Sequence, residues 1–198
     1  MIGVKNQINI NIIAVFAAQA HDGQTRRDEK TPYIIHPARV VCLVRGYTNS
    51  FLAIAAAWLH DIIEDTDANL MEFLTSLDLN PQHILSIFCI VQSLTKGQDI
   101  LEIRDRRTKA AVAFQKIIET RNNIRKWALL CKMCDRIDNI CSINSNSRID
   151  WTKQYLNETD LMIRMFGDCK EVMLRGSECY RAYSDLGKFT EEIKKTNR

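Results

Sequence analysis

Chain breakers are scarce in this sequence: three prolines and seven glycines serve 198 residues. A sandwich or barrel of many short strands needs a turn signal roughly every 8–12 residues, so that architecture is excluded and helices are favoured. No apolar run reaches the ~18 residues of a membrane span. The first twenty residues lack a basic leader followed by an apolar stretch and a small-residue cleavage site, so no signal peptide is expected. Basic residues form no long tract beyond Arg104-Asp105-Arg106-Arg107 and Lys194-Lys195, and the net charge is only +3. A nucleic-acid-binding stripe is therefore not expected, nor is membrane association. The seven cysteines are an odd number and lie mostly in apolar helical segments. That pattern fits reduced thiols in a cytoplasm better than a disulfide framework. Cys131 and Cys134 have C-x-x-C spacing, but they sit in mid-helix without a second pair and read as core.

What is present is ordinary for a soluble globular chain, with 46% hydrophobic and 26% charged residues, and the length suits one domain over residues 1–198. Apolar side chains recur at helical spacing in residues 8–21 (Ile8, Ile12, Val15, Phe16, Ala20). A polar loop, HDGQTRRDEKT, follows. Pro37 opens a second helix over 36–46, with Gly46 as its stop. Ser50 caps a third, 51–63, apolar almost all round. Further helices are expected at 68–76, at 81–94 behind Asn80-Pro81, at 102–120 and at 124–143. After the polar break Asn144-Ser145-Asn146-Ser147, amphipathic helices at about 150–166 and 168–186 complete an all-α bundle, and 187–198 is expected to fray. No strand or internal repeat is evident.

Chemistry is concentrated in three places. The stretch LAIAAAWL runs straight into His60-Asp61-Ile62-Ile63-Glu64-Asp65. Asp61, Glu64, Asp65 and Asp67 then crowd the C-terminal end of an apolar helix, where partial negative charge already stands. A divalent cation with nearby basic side chains would offset them; the plainer alternative is an exposed acidic helix end. In the 124–143 helix, Lys132, Asp135 and Asn139 form a polar stripe among Leu129, Leu130, Met133 and Ile137. Buried polar groups need partners, and either a salt bridge from Arg136 or a metal would serve Asp135. In Thr31-Pro32-Tyr33-Ile34-Ile35-His36-Pro37, the second proline keeps His36 out of helical geometry. Just upstream, Arg26 and Arg27 are suited to gripping phosphate.

Taken together, His36, His60-Asp61 and Asp135 resemble the H…HD…D ligand pattern of the HD phosphohydrolases. The words HDGQTRR, TPYIIHP, LHDIIEDT and CKMCDRIDN resemble more closely the hydrolase domain of stringent-response synthetase/hydrolases and of stand-alone small alarmone hydrolases. Ser93-Leu94-Thr95-Lys96 and the Arg106-Arg107 helix resemble further segments in the same order. The resemblance spans about residues 8–143 and is loose over the last fifty residues. It implies a single HD-domain helical bundle in which His36, His60, Asp61 and Asp135 hold one divalent ion, most often Mn2+. Glu64 and Asp65 match the catalytic acidic pair. Arg26, Arg27, Lys132 and Asn139 fall at or beside substrate-binding positions, Arg27 where the family often has lysine.

The implied reaction removes the 3′-pyrophosphate of (p)ppGpp or a close nucleotide analogue by metal-hydroxide attack, the ion lowering the pKa of water from ~15.7 toward neutrality. The expected partner is a small nucleotide, and a synthetase domain has no room in this chain. Asp138 stands where the family usually has histidine, Cys141 where it is commonly basic, and Asp28-Glu29-Lys30 replace a short Ser/Thr-Gly-Glu. These departures are expected on the nucleotide side, leaving the metal site untouched. The alternatives are a phosphatase of another phosphorylated nucleotide, such as the 2′-phosphate of NADPH, and a catalytically silent nucleotide-binding module.

Overall fold

The computed structural model describes residues 3–144 and 147–196; Ser145 and Asn146 of the expected polar break lie outside the described residues. Helices account for the regular structure: α1 (Val4–Ala20), α2 (Ile35–Tyr47), α3 (Phe51–Leu59), α4 (Ile62–Asp65), α5 (Leu70–Ser76), α6 (Pro81–Leu94), α7 (Gln98–Leu101), α8 (Arg106–Ile118), α9 (Asn122–Cys141), α10 (Ile149–Gly167), α11 (Lys170–Met173) and α12 (Glu178–Thr196). Among the described residues extended pairing is limited to one isolated bridge, Thr25 with Pro32.

The middle of the bundle is built by α3 and α9. On α3, Ala53, Ile54, Ala55, Ala56, Ala57 and Leu59 are all fully buried, as a helix without a polar face must be. Its alanines let neighbours approach closely, while Ile54 and Leu59 each contribute about 1.5–3 kcal/mol of burial. α2, α3 and α9 pack mutually, and α12 packs against α9 and α2. The three helices that carry the histidines and Asp135 therefore share one core.

Several local expectations are corrected. The apolar residues of α1 do not select one face: Asn9, Ile10, Ile13 and Ala17 are buried, whereas Ile8, Ile12 and Val15 stand exposed. Phe16 stacks on Phe73 with ring centroids 3.7 Å apart. Gly46 lies inside α2, which stops at Thr48. Ser50 occupies the cap position of α3 without a side-chain bond. Asn80 does cap α6, accepting from the His83 N–H at 2.7 Å, an interaction worth about 1 kcal/mol. The expected 102–120 helix divides, because Asp105 turns to cap α8 by accepting from the Thr108 N–H at 2.7 Å. The tail expected to fray continues as α12 to Thr196, carried by buried Ala182, Leu186 and Thr190 on one face.

Candidate active site

The apolar run of α3 does not pass unbroken into the acids. It ends at Leu59, His60 and Asp61 form a turn, and α4 restarts at Ile62. His60 and Asp61 keep right-handed helical backbone angles across the interruption, and their side chains meet beyond it. The interruption changes the expected electrostatics. Glu64 and Asp65 lie in the first turn of α4, and Asp61 sits at its N-cap position.

Four side chains converge on that point from α2, the 60–61 turn and α9. The Nε2 atoms of His36 and His60 are 3.3 Å apart. Asp61 Oδ2 lies 2.9 Å from His60 Nε2 and 3.6 Å from His36 Nε2. Asp135 Oδ1 lies 3.2 Å and 4.0 Å from His36 and His60 Nε2. Both imidazoles commit their other nitrogen elsewhere: His60 Nδ1–H donates to the Ala57 carbonyl at 2.9 Å, and His36 Nδ1–H to Asp138 Oδ2 at 2.7 Å. Two Nε2 lone pairs and two carboxylate oxygens are thereby aimed into one buried spot. Such a cluster needs positive charge at its centre. Most of these separations match neighbouring donors around an ion bound at ~2.0–2.2 Å. The donor set fits a divalent cation, and its mix of nitrogen and oxygen selects no single metal.

The protonation preferences report the same imbalance. Burial pulls the His36 pKa down, but its hydrogen bonds to Asp135 and Asp138 and the charges of Asp135 and Asp61 outweigh that, holding it up at about 9. The carboxyls of Asp61 and Asp135 resist burial and are held low, chiefly by His60 and by Lys132 respectively.

Lys132 and Asn139 clamp Asp135 from either side: Lys132 Nζ donates to Oδ2 at 2.7 Å and Asn139 Nδ2 to Oδ1 at 2.6 Å. Arg136, weighed as the partner of Asp135, turns away. It pairs with Glu158 at 3.7 Å and lies over the Tyr155 ring at 4.1 Å. Arg26 Nη2 donates to Asn139 Oδ1 at 3.1 Å. Arg27 lies 3.9 Å above the Trp151 ring.

Three residues given no role at the sequence level shape the acidic pair. Lys96 Nζ donates to Glu64 Oε1 at 2.6 Å, and the Lys96 N–H to Oε2 at 3.2 Å. Tyr33 Oη lies 2.7 Å from Asp61 Oδ2 and 2.9 Å from Asp65 Oδ2. A phenol has one hydrogen to donate. Burial and the nearby Asp61 charge push the Asp65 pKa up, while the hydrogen bond from Tyr33 Oη draws it down. Gln24 donates to the Asp65 carbonyl at 2.7 Å and accepts from His21 Nδ1 at 2.8 Å. Gly23, at φ 75°, makes the turn between them in a region that favours glycine. The signal for Tyr33 and Gln24 was present in TPYIIHP and HDGQTRR, but hydrogen-bond partners cannot be read from spacing.

These groups line a cleft of about 1100 Å³, whose walls include Arg26, Arg27, Lys96, Arg106, Lys132 and Arg148. α10 contributes Trp151, Tyr155 and Glu158 to it. Of the departures, Cys141 and Asp28 line the cleft. Asp138 does not line it: it is buried against His36, with Arg26 Nη2 at 3.7 Å. The Cys131 and Cys134 thiols are buried and unbridged, their pKa values pushed up by burial.

An HD domain model matches residues 14–160. Over 144 residues the chain is 34% identical to the bifunctional (p)ppGpp synthase/hydrolase SpoT of Escherichia coli K12, covering 72% of this chain and 19% of that protein. It thus spans about a fifth of the length of that relative. The guanosine-3′,5′-bis(diphosphate) 3′-pyrophosphohydrolase MESH1 of Mus musculus is 30% identical over 149 residues, 73% of this chain and 75% of the mouse protein. A solved structure described as a metazoan ortholog of SpoT that hydrolyses ppGpp has a TM-score of 0.60 at 20% identity, covering 99% of this chain and 97% of that one. That likeness establishes the fold. The match across α2, α3 and α9, together with the mouse relative covered over most of its length, places the chain in the HD domain family.

Proposed function

We propose that this chain is a cytoplasmic, metal-dependent phosphohydrolase that removes the 3′-pyrophosphate of (p)ppGpp or a close nucleotide analogue. The observation that carries the reading is the meeting of His36, His60 and Asp135, with Asp61 Oδ2 beside both imidazoles, in a cleft walled by cations and with a separate acidic pair beside them. The names of relatives matched over the same segment support the substrate class.

In this reading His36, His60, Asp61 and Asp135 hold one divalent ion, Mn2+ by resemblance, and Glu64 and Asp65 carry the proton chemistry. The bound ion supplies Lewis acidity that brings the pKa of water from ~15.7 toward neutrality. The water oxygen joins phosphorus as the bond to the ribose 3′-oxygen breaks, and the departing oxygen takes up a proton. Asp65, its pKa pushed up by burial and its Oδ2 accepting from Tyr33 Oη, is the group to pass that proton on. Glu64, fixed by Lys96 at both oxygens, orients the water and accepts its proton. Arg26, Arg27 and Lys132 meet the phosphate charge, and Arg26 and Lys132 are already positioned by Asn139 and Asp135. Asn139 contacts the nucleoside.

The test is a panel with Mn2+ supplied: ppGpp, pppGpp and NADPH, with pyrophosphate and orthophosphate measured separately. Pyrophosphate release from the guanosine substrates is expected. Orthophosphate from NADPH alone would move the assignment to a nucleotide phosphatase, and no release from any substrate would remove the enzymatic reading. Tyr33→Phe deletes the phenol's hydrogen bonding to the Asp61 and Asp65 carboxylates; a hydrogen bond to a charged group is worth about 1.5–3 kcal/mol. It is expected to lower kcat about 10–100-fold with KM little changed; an unaltered kcat would show that the phenol has no part in holding the acids.

A further inference from the structure

Asp138 is the one departure from the family pattern that touches a residue of the metal centre. It is buried, at 6% exposure, one turn beyond Asp135 on α9. Its Oδ2 accepts from His36 Nδ1–H at 2.7 Å, and the other charged group beside it, Arg26 Nη2, stands at 3.7 Å. The hydrogen bond fixes the proton of His36 on Nδ1, leaves the Nε2 lone pair directed at Asp61 and Asp135, and locks the ring plane. An anionic acceptor also makes the ring a stronger donor through Nε2. His60 has only a neutral acceptor in the same role, the Ala57 carbonyl. The two imidazoles are therefore unequal, with His36 the more basic ligand.

We propose that Asp138 is a positioning residue that, through His36, sets the affinity of this chain for its divalent ion. A histidine at this position can accept the same hydrogen bond but brings no negative charge, so the aspartate tightens the centre beyond what orientation alone provides. The inference rests on reading the four converging side chains as a metal centre, and it concerns binding of the ion without regard to substrate.

The test titrates metal-free protein with Mn2+ alone, following free Mn2+ by electron paramagnetic resonance. Asp138→Asn keeps the shape and an acceptor oxygen but removes the charge, and it protects the experiment should Asp138→Ala fail to fold. Asp138→Asn is expected to weaken Mn2+ binding about 10–100-fold. In the His36→Gln background the same change is expected to add less than about twofold, because it acts through the lost imidazole. Wild-type affinity in D138N would overturn the proposal, as would a full loss that persists without His36. If the wild-type protein bound no Mn2+, the metal centre itself would fall; binding unchanged by D138N would leave that centre standing and remove only the role of Asp138.

Discussion

Changing Glu64 to Gln and Asp65 to Asn together is expected to cut kcat about a thousandfold, within the 10²–10⁴ that positioned acids and bases supply. Both replacements keep the volume, and an asparagine oxygen at position 65 can still accept from Tyr33 Oη, so the fold and the neighbouring Asp61 are preserved. Neither acid belongs to the four-residue cluster, so Mn2+ affinity should stay near the wild-type value. Binding and chemistry are thereby separated in one protein. Steady-state kinetics with a metal titration of the same sample decide the matter. Turnover that survives would contradict the roles given to both residues; Mn2+ binding lost along with turnover would show that the pair contributes to the metal centre.

The second large effect concerns the ion. With Mn2+ at about 100 times its Kd, preferential binding to the folded state contributes about 2.7 kcal/mol. For a chain of this size that raises Tm by about 5–10 °C. His60→Ala should abolish the increment, since a buried ligand is lost and its carboxylate neighbours remain. Acidity opposes the ion. His36 has a folded pKa of about 9 against an ordinary 6.5, so its proton stabilises the metal-free protein below pH 6.5, and that contribution is lost as pH rises through 9. The cation must displace the same proton, so affinity should climb between those limits. A Tm increment that is independent of pH, or that survives in H60A, would place the ion elsewhere.

The motif words singled out His36, His60, Asp61 and Asp135, and the fold brings these side chains together. The polar stripe of Lys132, Asp135 and Asn139 on α9 was also legible, but the burial of Arg136 and Asp138 beside it was not. The break after Leu59 was invisible for a physical reason: LAIAAAWLHDIIED contains no proline, glycine or capping signal before His60. The interruption accompanies a tertiary arrangement in which two adjacent side chains face one point. The buried face of α1 was ambiguous because Ile8, Ile10, Ile12, Ile13 and Val15 give it apolar residues on opposite sides. Asp105 carried a readable capping signal, three residues before Thr108, that the helical reading of 102–120 passed over. Partner choice was the hardest to read. Arg136 is adjacent to Asp135, yet neighbours on a helix diverge, and Glu158 on α10 takes it instead.

The turn between α3 and α4 has a consequence for how such sequences can vary. Since the ligands and the acidic pair are phased by one short restart of the backbone, a single-residue insertion or deletion between His60 and Asp65 would rotate one set against the other by about 100°. Length there is as constrained as composition. The 28–31 segment, closed on itself by Asp28 accepting from the Lys30 and Thr31 N–H groups, has no such phase to keep, so indels among homologues should accumulate there and spare the turn.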